Sequence, residues 1–365
     1  MTGIPARAAR TRAQGQIRYV TPVPYAAARG TVARVYAQVE RDFGLLAPPV
    51  ALHAAVPEVL AAAWTMLRET LVASGAADRT TKEAVATAVS LANTCPYCVE
   101  VHGVTMRGLA ADDAAGLIAA DRIGEIADPG LRAVAEWARR TGTPEAGAPP
   151  SGSPAGELVG VAVTFQYLNR MVNVFLPDSP LPANLPDPAR GAARRLAARI
   201  MRSGARTHRA PGGSAGLLPP APPPDDLAWA AGAPDVADAF ARAAAAVEEA
   251  GRRWLPGPVR DVVSAALDEW DGRPPGPSRA WTGPLVRDLP ESARPAARLA
   301  LLTAMASYQV DAPVVDAYRR AEPVRDGSRD GSRDAALIAL TAWAAFAAAR
   351  RTGARSARRE KPAGT

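Results

Sequence analysis

A chain of 365 residues that is 48% hydrophobic can bury the cores of two globular units, and with only 5% aromatic residues much of the filling falls to alanine. The formal charge of +7 comes almost wholly from arginine, because lysine occurs only at Lys82 and Lys361. The arginines are dispersed, denser only near the two ends, and lack aromatic interleaving or any nucleic-acid module, which argues against specific nucleic-acid binding. Two cysteines exclude a disulfide scaffold and fit a reducing cytoplasm.

β-Branched and aromatic residues are scarce outside helical patterns, so the predicted fold is all-α. Residues 1–17 read as a disordered basic arm without the apolar stretch of a secretory signal. A first helix is predicted over 26–43, with Val32, Val35, Tyr36 and Val39 on one face, and Pro48-Pro49 interrupts the pattern. Pro57 opens a second strong helix over 58–74, striped by Leu60, Trp64, Leu67 and Leu71. His53, in the approach to that helix, reads as an ordinary structural imidazole.

The stretch 83–109 holds both cysteines and organises the chain. Ala84, Val85, Ala88, Val89 and Leu91 repeat with a helical period that breaks at Asn93-Thr94. A new helix then starts, with Cys95 at its N-cap, Pro96 at the first position and Cys98 in the first turn. The unpaired amides of such a terminus favour an anion, so a thiol there is expected to have a lowered pKa. His102 lies one turn beyond Cys98 on the same face. If the two helices fold as a hairpin at Thr94, Glu83 is about 16 Å down one arm, His102 about 12 Å down the other, and Cys98 about 6 Å down. That order suits a relay in which the carboxylate orients the imidazole and the imidazole takes the thiol proton, with Cys95 as resolving partner. Taken singly, Glu83 reads as a solvated helix-start charge and His102 as an ordinary core or surface histidine. Structural zinc is disfavoured, because no second cysteine pair exists and the other histidines, His53 and His208, are remote in sequence.

These four residues resemble, one by one, the core motif of the alkylhydroperoxidase D-like (AhpD-like) branch of the carboxymuconolactone decarboxylase family. That motif runs Glu, eleven intervening residues, Cys-x-x-Cys, three intervening residues and His, here Glu83, Cys95, Cys98 and His102. The resemblance implies a helical bundle assembled as homo-oligomers and a peroxidase cycle. In that cycle Cys98 attacks a hydroperoxide, Cys95 closes a redox-active disulfide, and an external dithiol, a lipoyl- or thioredoxin-type protein, restores the pair without metal or organic cofactor. The chain departs from the well-known peroxidases at Tyr97, where they carry a histidine. The decarboxylase branch lacks the cysteine pair.

Beyond the motif, Asp112-Asp113 or the adjacent turn starts a helix to about Ile126, and further helices are predicted over 131–140, 157–176 and 189–201. The 157–176 helix places Val161, Phe165, Leu168, Val172 and Phe175 on a core face; its run from Tyr167 to Phe175 is similar to longer family members, and Arg170 or Tyr167 is a candidate to face the active pocket. The Pro/Gly-rich segment 203–225 reads as an exposed linker. After it the pattern restarts. Pro234–Trp254 is similar to 57–74, and 299–318 is similar to the thiol hairpin. At a constant offset of 214, Glu83, Cys95, Cys98 and His102 fall on Ala297, Gln309, Ala312 and Asp316, so a second copy would have kept the helices and lost the chemistry. The apolar run 335–349 is short for a membrane span and suits a buried helix.

The expected organisation is a catalytic AhpD-like domain over 18–203, a linker over 204–225, a degenerate AhpD-like domain over 226–353 and a basic tail over 354–365. The expected function is that of a cytoplasmic thiol peroxidase. A thiol–disulfide oxidoreductase, a decarboxylase-like lyase and a non-enzymatic assembly module with redox-sensing thiols stay open as alternatives.

Overall fold

A computed structural model of the chain describes residues 4–110, 113–182, 184–322 and 330–356. Among these residues the regular elements are helical and no strand occurs. The N-terminal half runs through α1 (Ile4–Gln14), α2 (Gly30–Phe43), the short α3 (Pro48–Ala51), α4 (Pro57–Leu67), α5 (Arg79–Ala92), α6 (Pro96–Leu109), α7 (Ala114–Ala119), α8 (Pro129–Arg140), α9 (Ala155–Phe175) and α10 (Asp187–Ala205). The C-terminal half adds α11 (Pro234–Trp254), α12 (Gly257–Glu269), α13 (Thr282–Val286), α14 (Arg294–Met305), α15 (Ala312–Ala321) and α16 (Asp330–Ser356).

Helices that are apolar all round belong at the centre of a fold. α4 is buried from Val59 to Leu67, and α9 is buried from Leu158 to Phe175 apart from Asn173. α16 packs along α9, α11 and α14, while α11 packs along α4. One core therefore runs through both halves. Glycines make the close approaches possible. A Cβ on Gly160 would lie 2.8 Å from Val236, and one on Gly353 would lie 2.7 Å from the Trp229 ring and 2.8 Å from Val163, so α9 meets α11 and α16 backbone to side chain.

The elements depart from the sequence expectation in four places. The basic arm is helical over Ile4–Gln14, because Arg10 forks onto Glu40 at 2.6 Å through both nitrogens, stacks 3.7 Å from the Tyr25 ring centre, and Gln14 donates to the Val23 carbonyl at 2.6 Å. The first long helix starts at Gly30 instead of 26, since Gly30 takes a left-handed φ of +54°. α4 ends at Leu67 and continues as a π-helical turn over Arg68–Val72. The helix expected to reach Ile126 stops at Ala119; Asp113 is its N-cap, Asp112 lies outside the described residues, and Asp121 turns the chain with φ +57°.

The π turn faces two consecutive charged residues inward. Arg68 donates to Asp42 at 2.8 Å and to Glu69 at 2.7 Å, and Glu69 accepts from the amides of Gly212 and Ser214 and from the Ser214 hydroxyl. Ser214, Leu217 and Leu218 are buried as a result. This part of 203–225 is pinned to the bundle, where its composition reads as an exposed tether. The apolar run 335–349 lies inside α16 and is buried but for Ala347, and among the described residues no helix is long and apolar enough to cross a membrane. The basic tail from residue 357 onward lies outside the described residues.

Candidate active site

α5 is set by its ends. Asp78 caps it by accepting from the Thr81 amide at 2.9 Å, and Asn93 closes it. Thr94 then takes φ +51°, a left-handed conformation that reverses the chain within a single residue. The Cys95 amide donates back to the Ser90 carbonyl at 2.9 Å, Cys95 becomes the N-cap of α6, and Pro96 occupies the first position. The hairpin expected from the break at Asn93-Thr94 forms there.

Inside it, His102 Nδ1 lies 2.7 Å from Glu83 Oε2, with both side chains buried. A carboxylate accepts only, so Nδ1 carries the hydrogen and Nε2 is left as a lone-pair base. Burial alone would raise the Glu83 pKa; Arg79, bonded to its other oxygen at 2.8 Å, and His102 overcome this and hold it below the usual carboxylate value. The His102 ring is backed edge-on by Phe165 of α9, with centroids 4.5 Å apart and planes at 85°. Arg79 and Phe165 were not legible as site residues, although Arg79 stands one helical turn before Glu83 and that spacing was visible.

Both cysteines are free and buried. Cys95 runs against the expectation of a lowered pKa: burial, then a hydrogen bond and charge from Cys98, push its thiol well above the ordinary value, with a smaller opposing contribution from Asn169. At this terminus the loss of water outweighs the helix dipole. Asn169 is itself fixed, donating to Ser90 Oγ at 3.0 Å and accepting from Asn93 at 3.1 Å. The Tyr97 hydroxyl donates to Gln16 Oε1 at 3.0 Å, so the segment after α1 lies against the thiol helix.

The remaining sequence candidates sit elsewhere. Tyr167 donates to His53 Nε2 at 2.8 Å while His53 Nδ1 donates to the Val50 carbonyl at 3.1 Å, a closed buried pair. Arg170 lines a cavity between the two halves. His208 is exposed, and among the described residues no three His, Cys, Asp or Glu side chains gather as metal ligands would. Asp311 caps α15 through the Val314 amide at 3.3 Å and pairs with Arg279 at 2.7 Å, a structural carboxylate.

Comparison with known proteins adds two findings. Residues 58–140, which span α4 to α8, match the model of the carboxymuconolactone decarboxylase family. Over 339 residues, 92% of this chain and 94% of the relative, the sequence is 38% identical to a Mycobacterium tuberculosis (strain ATCC 25618 / H37Rv) protein named alkyl hydroperoxide reductase Rv2159c.

Proposed function

The chain belongs to the carboxymuconolactone decarboxylase family and is AhpD-like, and from that premise we propose that it reduces hydroperoxides with the Cys95–Cys98 dithiol. The observation that carries the reading is the 2.7 Å contact between Glu83 and His102, buried one turn behind the cysteine pair.

Glu83 fixes the tautomer, and His102 Nε2 takes the proton from Cys98. The thiolate attacks the distal oxygen of the hydroperoxide. The O–O bond breaks, the alkoxide leaves with the proton held on His102, and Cys98 becomes a sulfenic acid. Cys95 condenses with it, forming the S–S bond and releasing water. An external dithiol then returns two electrons and two protons. The division of labour is supported by the raised Cys95 pKa, which burial brings about and which suits the sulfur that acts second. We also read residues 226–353 as a degenerate bundle that replaces a second subunit.

The test is turnover of organic hydroperoxides with a panel of dithiol donors, on the wild type beside Cys98→Ala and His102→Gln. Reduction of protein disulfides in place of peroxides would assign the pair to thiol–disulfide exchange instead, and activity surviving Cys98→Ala would point to a lyase.

A further inference from the structure

Among the described residues, the buried Arg and Lys side chains are matched by carboxylates, with one exception beside the seam of the two halves. Arg68 meets Asp42 and Glu69, Lys82 meets Glu157 at 3.0 Å, and the half-buried Arg79 likewise meets Glu83. Arg170, only 5% exposed, has no carboxylate within ion-pair distance among the described residues. Its Nε donates to the Ala304 carbonyl at 2.8 Å and its Nη1 to Gln166 Oε1 at 2.7 Å and to the Gln166 carbonyl. Those are neutral acceptors, and a buried charge left without a counter-charge is costly.

The same guanidinium lines a cavity of about 250 Å³. Asn93, Gln166 and Arg170 approach it from the N-terminal half, and Trp270, Ser307 and Tyr308 from the C-terminal half. Arg139 adds a second positive charge, already forked onto Asp121 at 3.0 and 3.1 Å, and no Asp or Glu belongs to the lining. One wall is apolar: Trp270, whose ring centre lies 5.9 Å from the Arg170 guanidinium carbon, with Pro274 and Met305. The volume lies just under the usual range for drug-sized ligands.

We propose that this cavity binds a small organic acid, its carboxylate paired with Arg170 and its apolar body against Trp270, Pro274 and Met305. A carboxylate fits the guanidinium fork through two parallel hydrogen bonds. Neither cysteine lines this cavity, so ligand binding there can be read separately from peroxide turnover.

The experiment is calorimetric titration of the full chain in the Cys98→Ala background, without peroxide, using benzoate, its neutral isostere benzamide, and inorganic phosphate. The expected result is saturable benzoate binding at least tenfold tighter than that of benzamide or phosphate. Arg170→Gln should abolish it. Because Arg170 also ties α9 to α14, Thr143→Glu on the lining loop is the second variant: it adds a carboxylate to the cavity wall and should weaken benzoate at least tenfold, while Thr143→Gln leaves binding unchanged. Equal binding of benzoate and benzamide, phosphate binding as tight as benzoate, or a Thr143→Glu variant that still binds benzoate like the wild type would overturn the proposal.

Discussion

α5 with α6, and α14 with α15, are each a buried helix, a short break and a helix with proline in its first turn, and each first helix packs on one of the long buried helices, α9 or α16. The breaks differ. α6 begins at Cys95 with no side chain capping its first amides, whereas Asp311 caps α15 and is held in place by Arg279. Aligned on these N-caps, Val314 stands opposite Cys98, Tyr318 opposite His102 and Leu299 opposite Glu83, and all three are buried. The sequence offset of 214 points instead to Ala312 and Asp316, because it falls two residues short of the one that superposes the N-caps Cys95 and Asp311. The lesson is that helix packing tolerates a wide choice of residue at positions where the chemistry allows one. A well-capped terminus is stable, and an uncapped one leaves its amides to a sulfur.

Paired substitutions test that contrast. Cys98→Ala should reduce peroxide turnover to background, and Val314→Ala at the matching position should leave the rate of the folded protein unchanged. His102→Gln should cost about 10²–10⁴-fold in kcat, the usual contribution of a general base, with Tyr318→Phe without effect. Glu83→Gln should cost about 10²-fold, since the base stays but its tautomer is no longer imposed. Leu299→Ala should instead lower stability by about 3 kcal/mol, read from denaturant midpoints, with turnover per folded molecule intact.

Acid should distinguish the halves as well, because the buried His53 lies in the N-terminal half and the C-terminal half, from α11 onward, contains no histidine. Burial lowers the His53 pKa from 6.5 to about 4. Between those values the unfolded chain binds the extra proton, so stability falls as the pH drops, by up to roughly 3 kcal/mol in total. Urea midpoints measured from pH 7 to 4 should show this slope, and His53→Gln should flatten it. Below that window the lowered carboxylates Asp42 and Glu83, whose cation partners outweigh their burial, and Glu157, held down first by the Ala76 amide and then by Lys82, become protonated in turn and their stabilisation is lost. The smallest effect expected is from Gly353→Ala. A Cβ there must displace Trp229 and Val163, which should cost about 1–3 kcal/mol and shift one melting transition for the whole chain, not one of two.

What the sequence made legible was local or periodic. The buried stripes of α2 and α4, the bounds of Pro234–Trp254, the Cys95 cap and the spacing that brings Glu83 to His102 depend on residues within one or two helices. What it hid depends on distant partners. α1 needs Glu40 and Val23, the pinned segment around Ser214 needs Glu69 on a π turn, and the seam cavity needs Trp270 and Ser307 brought to Arg170 from distant parts of the chain. The sign of the Cys95 shift was missed for the same reason, because burial is a property of the assembled fold.

Cys95 and Cys98 are the chain's only cysteines, and both are enclosed. Two sulfurs allow a single intramolecular pairing, so oxidation has no isomers to sort and no mispaired intermediates from which to recover. A redox titration should therefore follow one two-electron curve, in which each tenfold change in the ratio of oxidised to reduced chains corresponds to about 30 mV. The oxidised chain should be a single species, lighter than the reduced one by two hydrogen atoms.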